Sequence, residues 1–195
     1  MYRDEPDPYT YPGSTVLKNK FNITSQADLE AFETVITDQR SAEGLPSGRF
    51  SLTHYRAIHR HLFQDVYDWA GKFRTVRIAK GRSVFCYPEH IETEMRRIFG
   101  RLAAERHLRD LPPERLAERI ARYLTEINAV HPFREGNGRT QLVFFSFPAE
   151  RAGHPFDLSR LDPAQVLAAM IAGFQGNERP LADAIGSLIS AREAP

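Results

Sequence analysis

The sequence of 195 residues contains one cysteine, Cys86, so it cannot form a disulfide within the chain. It also lacks long apolar runs, because the longest ones, such as residues 166–174, fall well short of the roughly 20 residues that span a bilayer. Residues 1–5 do not begin the apolar region of a signal peptide. We therefore expect a cytoplasmic protein without a membrane span, although a signal read by a dedicated export machine would escape this argument.

The sequence has no excess of either charge, since 26 lysines and arginines stand against 25 aspartates and glutamates and give a formal net charge of +1. A chain without a strongly basic surface is not expected to bind nucleic acid directly, and partners of the protein or nucleotide class are favoured instead. Internal repeats and low-complexity tracts are absent, which argues against a solenoid. With 42% hydrophobic residues, the chain is expected to fold as one domain over residues 1–195.

Most of the chain has the apolar periodicity of helices. The first predicted helix starts near Ser25, and the second runs from Tyr55 through Trp69 to Gly71. The third starts near Pro88 and the fourth at Pro112-Pro113. The last two are marked by Asp162-Pro163 and by Leu181, Ile185 and Leu188. Proline-rich residues 1–20 predict an N-terminal surface arm pinned by tyrosines. Only residues 74–78 prefer a strand, followed by a turn over 80–83 and a return at 84–85, which predicts one short hairpin. The fold class is therefore all-α, a helical bundle with a small β-hairpin.

Residues 131–139, which read His-Pro-Phe-Arg-Glu-Gly-Asn-Gly-Arg, form the most informative segment. Proline and the Gly-Asn-Gly step indicate a loop, and the apolar run from Thr140 predicts a helix that begins at the glycines. Backbone N–H groups at a helix start have no intrahelical partner and, together with the helix dipole, favour a bound anion. Gly136 and Gly138 would let a phosphate oxygen approach the backbone closely.

The side chains of this segment suit chemistry at a nucleotide phosphorus. His131 carries an imidazole, a group whose unperturbed pKa lies near neutral pH, so it can accept a proton from an attacking hydroxyl. Glu135 offers the hard oxygen ligands that Mg²⁺ uses together with substrate phosphates. Arg139 can pair with a phosphate and stabilise a leaving pyrophosphate. Each feature alone also suits a simple turn or a surface ion pair; the combination favours catalysis.

Residues 131–139 resemble the signature of the Fic (filamentation induced by cAMP) proteins, H-x-F-x-[D/E]-G-N-G-R-x-x-R. The similarity extends to residues 11–13, 17–20, 61–74 and 80–87. It implies a Fic-fold protein adenylyltransferase that transfers AMP from ATP, with Mg²⁺, to a Ser, Thr or Tyr hydroxyl of a target protein. Carried over by the resemblance, the roles are base for His131, metal ligand for Glu135, anion cradle for Gly136, Asn137 and Gly138, phosphate clamp for Arg139 and buried loop anchor for Phe133.

In Fic proteins the hairpin, here residues 72–87, is called the flap and aligns the target hydroxyl with the histidine. By the resemblance, Lys80, Ser83 and Phe85 lie near the target. The alternative is a hairpin that only covers the core, with Phe85 buried. An exposed hairpin edge can bind an extended target segment through main-chain hydrogen bonds.

The chain departs from the signature at the second arginine, whose place is taken by Leu142. Positions 139 and 142 share a helix face, so half of a double cationic stripe is lost. Losing one charge-assisted contact to a phosphate costs roughly 1.5 to 3 kcal/mol, so we expect ATP handling to be impaired or retuned. Pro148 follows, and it either breaks the helix early or marks its end.

Regulation and partners follow only from the resemblance. The sequence has no match to the inhibitory pattern [S/T]-x-x-x-E-[G/N], which implies a bacterial toxin whose small antitoxin is supplied in trans. Toxin-type relatives are expected to modify the ATPase subunits of DNA gyrase and topoisomerase IV. Two alternatives remain open: a transferase that uses another nucleotide or phosphate donor, and a noncatalytic Fic-fold binding module.

Overall fold

The computed structural model describes residues 7–80 and 83–189. Within these ranges the protein is predominantly helical, as the periodicity predicts. The α-helices are α1 (Gln26–Ala42), α2 (Leu52–Phe63), α3 (Pro88–Ala104), α4 (Pro113–Val130), α5 (Asn137–Arg151), α6 (Pro163–Phe174) and α7 (Arg179–Leu188). Two short 3-10 helices, Arg106–Leu108 and Leu158–Arg160, and two strands, β1 (Ala79–Lys80) and β2 (Ser83–Val84), complete the secondary structure of these ranges. No helix in the described part of the chain is long and apolar enough to cross a membrane.

Helix α4 lies at the centre of the bundle and packs against α3, α5, α6 and α7. Its buried stripe, which includes Leu116, Ile120, Leu124 and Ile127, follows the helical repeat that the sequence shows. Burial on several sides fixes the position of α4 in the core. The residue that follows α4, His131, is therefore held on the most firmly packed element of the fold.

The helix starts agree with the capping signals. The Ser25 side chain accepts a hydrogen bond from the backbone N–H of Asp28 at 3.4 Å and caps α1. Helices α3, α4, α6 and α7 carry a proline in the first turn, where its missing N–H costs no hydrogen bond. The predicted starts near Pro88, at Pro113 and at Pro163 are thus confirmed.

The predicted extent of the second helix was wrong. Helix α2 ends at Phe63, and residues 64–71 form turns rather than two further helical turns. Val66 and Tyr67 in these turns are still buried, so a helical spacing of apolar residues continues past the end of the helix. Gly71 has φ +77°, which ends the turn segment and not the helix.

Pro148 neither breaks α5 early nor marks its end. The helix continues three residues further, to Arg151, and Pro148 is buried within its last turns. Pro148 lacks the N–H that would donate to the residue four positions earlier, but the helix continues past it. The Pro148 carbonyl still accepts a bond from the N–H of Ala152 at 3.0 Å.

The two strands pair antiparallel, with Ala79 opposite Val84 and Lys80 opposite Ser83. The strand predicted over residues 74–78 was wrong, because this segment forms no strand and the pairing begins at Ala79. Its backbone bonds elsewhere, as in the N–H of Arg74 that donates to the carbonyl of Pro132 at 2.9 Å. Residues 81 and 82 of the predicted turn lie outside the described residues.

The N-terminal arm is described from Asp7 onward, and residues 1–6 of the predicted arm lie outside the described residues. Tyr9 packs edge-on against Trp69, with ring centroids 5.7 Å apart. The carboxylate of Asp7 accepts hydrogen bonds from the guanidinium of Arg134 at 2.8 and 3.0 Å. The arm is therefore attached to the loop that follows α4.

Candidate active site

His131 caps the C-terminus of α4 in a left-handed conformation, with φ 50° and ψ 63°. Its N–H completes the helix by donating to the carbonyl of Ile127 at 2.8 Å. The ring of Phe85 stacks on the imidazole at a centroid distance of 4.1 Å and an interplanar angle of 21°. The residue after β2 thus contacts the candidate base directly.

Phe85 is buried, with 8% of its surface exposed, and it also packs edge-on against Phe174 of α6. This burial matches the alternative in which the hairpin covers the core, but the surface that Phe85 covers is the ring of His131. The side chains of Lys80 and Ser83, the other predicted flap residues, lie outside the described residues.

The loop between α4 and α5 is closed by Phe133 and Asn137. The Phe133 ring is fully buried and stacks on the imidazole of His59 at 3.7 Å. The Asn137 side chain accepts from the N–H of Phe133 and donates to its carbonyl, both at 2.9 Å. Asn137, predicted as part of an anion cradle, therefore also fixes the shape of the loop through its side chain.

His59 is a site residue that the sequence reasoning missed. Its Nδ1 accepts a hydrogen bond from the N–H of Gly71 at 2.8 Å, so the proton is on Nε2, which donates to the Glu135 carbonyl at 3.0 Å. Burial lowers the pKa of His59 to about 3, which keeps the ring neutral. A histidine on the buried face of a helical stripe is a signal of such a double hydrogen bond.

Gly136 and Gly138 meet different surroundings at the start of α5. Gly136 is the N-cap, with φ +77°, and a Cβ added there would lie 2.3 Å from the ring of Phe63. A Cβ on Gly138 would meet no atom within 4 Å. The fold therefore requires a glycine at position 136, whereas Gly138 faces open space beside the first-turn N–H groups, which lack intrahelical acceptors.

Arg139 is already paired within the fold. Its guanidinium forms an ion pair with the carboxylate of Glu33 in α1 and donates to the Thr37 hydroxyl at 3.1 Å. Tyr67 donates to the other oxygen of Glu33 at 2.5 Å, and Phe63 lies under the guanidinium at 4.8 Å. Burial and the Glu33 carboxylate raise the pKa of Tyr67, so it stays a protonated donor.

Glu33 is the second residue that the sequence reasoning missed. It is only 6% exposed and lies four residues after the buried Leu29, on the inward face of α1. A carboxylate on the apolar stripe of a helix signals a buried cation or donor, because an unpaired buried charge is strongly unfavourable. That signal was present in the sequence, but it did not identify Arg139 as the partner.

A cavity of about 360 Å³ lies beside these groups, lined by residues that include Glu33, Tyr67, Glu135 and Arg139. This volume is within the range of small-molecule sites. The structure thus places the predicted metal ligand and the predicted phosphate clamp on the wall of one cavity, next to the start of α5.

Glu135 fits a site for one Mg²⁺ ion shared with substrate. The residue is exposed, and its Oε1 accepts from the N–H of Gly136 at 2.8 Å. The described residues contain no group of three or more His, Cys, Asp or Glu side chains placed to hold a metal ion. Since Mg²⁺ in phosphate-transfer sites uses one or two carboxylates with phosphates and water, one carboxylate suits it.

Leu142, one helical turn after Arg139, is partly buried and packs against the hydrophobic core. The residue at the place of the second signature arginine therefore contributes packing and no charge. The cationic stripe expected along α5 is reduced to Arg139, which Glu33 partly neutralises.

Comparison with known proteins gives close relatives along the whole chain. The chain is 50% identical over 189 residues to the probable protein adenylyltransferase y4lH of Sinorhizobium fredii, covering 96% of this chain and 98% of that protein. It is 41% identical over 179 residues to the protein adenylyltransferase VbhT of Bartonella schoenbuchensis, covering 90% of this chain and 37% of VbhT. The chain thus spans well under half of the length of VbhT.

Solved structures share the fold. The Fic domain of a Bep effector from Bartonella quintana, with bound ADP, has a TM-score of 0.86 at 27% identity and covers 95% of each chain. The BepC protein of Bartonella tribocorum, with bound AMPPNP, has a TM-score of 0.87 at 24% identity over 95% of this chain and 97% of that one, and shows the fold alone. Residues 49–149, which include the segment 131–139, match the Fic/DOC family. The chain is a member of the Fic/DOC family.

Proposed function

We propose that the protein is an adenylyltransferase that moves AMP from ATP to a Ser, Thr or Tyr hydroxyl of a target protein. The observation that carries the proposal is that Glu135 and Arg139 line one cavity at the start of α5, a few residues after His131. The names of y4lH and VbhT, both protein adenylyltransferases, support the same activity.

In the proposed reaction the target hydroxyl attacks the α-phosphorus of ATP. Its oxygen forms the new bond to phosphorus, the bond from that phosphorus to the bridging oxygen breaks, and pyrophosphate leaves. His131 accepts the hydroxyl proton. Mg²⁺, held by Glu135 and the phosphates, would neutralise charge on the leaving group.

The other motif residues bind and orient the nucleotide. The first-turn N–H groups of α5 and the helix dipole bind phosphate oxygens. The described bonds of Arg139 use two of its nitrogens, and 38% of its side chain is exposed, so the guanidinium retains donor capacity toward the cavity. Because its charge is shared with Glu33, and Leu142 adds none, ATP binding is expected to be weakened or retuned.

The β1–β2 hairpin is proposed to act as the flap that presents the target. Phe85 supports this role, since it joins the hairpin to the ring of His131. Lys80 and Ser83 are proposed as target contacts. On the family resemblance, the protein is further proposed to be a bacterial toxin, with an antitoxin in trans and the ATPase subunits of DNA gyrase or topoisomerase IV as targets.

The test uses ATP labelled at either the α- or the γ-phosphorus, Mg²⁺, and purified ATPase subunits of DNA gyrase and topoisomerase IV. Only the α-label is expected on the target. His131→Ala is expected to lower the transfer rate by roughly 10²- to 10⁴-fold. The control His90→Ala changes an exposed histidine of α3 and should retain activity.

Transfer of the γ-label would show phosphoryl transfer and contradict the proposed reaction. Label on the target at the same rate with His131→Ala would contradict the role of the base. If neither subunit receives label from α-labelled ATP, from γ-labelled ATP or from other labelled nucleotides, the result would favour a noncatalytic binding module.

A further inference from the structure

Arg74 is a buried cation whose bonds, as far as the structure describes them, go to main-chain oxygens. It is 2% exposed, and burial lowers its pKa from the ordinary value. Its Nε donates to the carbonyl of His131 at 2.7 Å, and Nη2 donates to the carbonyls of Val130 at 3.1 Å and Cys86 at 2.6 Å. Nη1 donates to the carbonyl of Val76 at 2.6 Å. These four hydrogen bonds make the burial of such a charge tolerable.

Two of these carbonyls belong to the C-terminal end of α4. The last carbonyls of a helix have no intrahelical donor, and they carry the negative end of the helix dipole. A guanidinium with fixed fork geometry satisfies both requirements at Val130 and His131. The His131 backbone is left-handed, a conformation that non-glycine residues adopt rarely, so a strong bond to its carbonyl helps to hold it there.

The other two carbonyls belong to the ends of the hairpin segment. Val76 precedes β1 and Cys86 follows β2, so the same guanidinium closes the base of the β1–β2 hairpin. The backbone adds two parallel links, since the N–H of Arg74 donates to Pro132 and the N–H of Cys86 donates to Ala129 at 3.1 Å. The Arg74 guanidinium and these two backbone bonds therefore attach the hairpin to the end of α4.

This attachment lies next to the contact between Phe85 and the ring of His131. Phe85 immediately precedes Cys86, whose carbonyl Arg74 holds, and the His131 carbonyl is held by the same side chain. The backbone of His131 is thus bonded to the guanidinium, and Phe85 is one residue from a carbonyl that the same guanidinium holds. The described side-chain bonds of Arg74 go to the hairpin segment and to the end of α4, and none of them goes to α5.

We propose that Arg74 is a positioning residue, which keeps His131 and the hairpin in fixed relation so that the target hydroxyl meets the imidazole. It touches neither reactant. This inference rests on the proposed transfer function and adds to it a residue outside the segment 131–139. Arg74 acts on the attack step and leaves the nucleotide site, built on α5, in place.

The test compares Arg74→Lys and Arg74→Met with the control Arg119→Lys, which alters a partly buried arginine of α4 that pairs with Glu105, the residue after α3. Lysine keeps the charge but is a single-point donor, so it cannot reproduce the fork. A misplacement of about 1 Å at a reacting group can cost on the order of 10²-fold in rate. We expect kcat for target modification to fall by about that factor in Arg74→Lys and further in Arg74→Met, while the Kd for Mg-ATP changes less than about twofold.

Equal kcat in wild type and in Arg74→Lys would overturn the proposal, as would a parallel loss of kcat and Mg-ATP affinity. If Arg74→Met does not fold, Arg74→Lys carries the test, with unfolding curves of both lysine variants as the stability reference. A parallel readout needs no transfer at all: the nuclear Overhauser contacts between the rings of Phe85 and His131 should weaken in Arg74→Lys and persist in Arg119→Lys. If the wild type transfers nothing, the proposed function fails, and the ring contacts still decide whether Arg74 positions the histidine.

Discussion

The glycine at the N-cap of α5 gives a sharp steric prediction. Gly136 has φ +77°, and a Cβ there would lie 2.3 and 2.4 Å from two ring atoms of Phe63. A left-handed conformation costs an L-residue about 1–2 kcal/mol, and forcing an extra carbon into a packed core costs typically about 1–3 kcal/mol. Gly136→Ala should therefore lower the free energy of unfolding by about 2–5 kcal/mol, measured by urea denaturation.

Gly138→Ala is the matched control, two residues further along the same helix start. No atom lies within 4 Å of the added Cβ, so stability should be unchanged or slightly increased, because alanine is favoured over glycine in a helix. If the open space beside Gly138 receives phosphate, the same methyl group should weaken Mg-ATP binding at least about tenfold, which corresponds to about 1.4 kcal/mol. A Gly136→Ala variant as stable as wild type, or equal losses of stability in both variants, would contradict this steric prediction.

Three further predictions concern the same region. Leu142→Arg should raise ATP affinity or turnover, because it adds a cation on the same face of α5 as Arg139. If calorimetry shows no change in affinity and transfer assays show no change in turnover, position 142 does not face the nucleotide. Glu33→Gln should destabilise the fold by about 1–3 kcal/mol, because Arg139 and Tyr67 lose a charged partner. The control Glu30→Gln, on the exposed side of α1, should leave stability unchanged. Equal urea midpoints for the two variants would contradict this prediction. Burial lowers the pKa of His59 to about 3, so as the pH falls the unfolded chain takes up a proton on this imidazole before the folded protein does. The free energy of unfolding should therefore fall as the pH drops from about 6.5 toward 3. Thermal unfolding measured across this pH range should show a smaller fall in His59→Gln.

Much of the fold was predictable because each signal is local. The cap at Ser25 and the prolines at the starts of α3 and α4 mark helix starts through hydrogen bonds made within one turn. The end of α2 was not predictable from spacing, since Val66 and Tyr67 are buried by turns rather than by a helix. The segment 74–78 had the alternation of a strand, but the N–H of Arg74 bonds to Pro132 and the carbonyl of Val76 bonds to the Arg74 side chain instead of to a neighbouring strand.

The candidate site was predictable where it is continuous in sequence and not where distant segments meet. Residues 131–139 contain the candidate base, metal ligand and helix start in one run, so composition and turn signals were sufficient to locate them. The contacts of Glu33 with Arg139, and of His59 with Glu135, join residues 106 and 76 positions apart. Such pairings depend on how α1 and α2 pack against residues 135–139, which no local pattern contains.

The most direct test of the central claim is a crystal structure with Mg²⁺ and a nonhydrolysable ATP analogue. We expect phosphate density over the N–H groups at the start of α5 and against Arg139, with the α-phosphorus nearest to the imidazole of His131. A nucleotide bound elsewhere, or an imidazole that cannot reach the α-phosphorus in the complex, would contradict it.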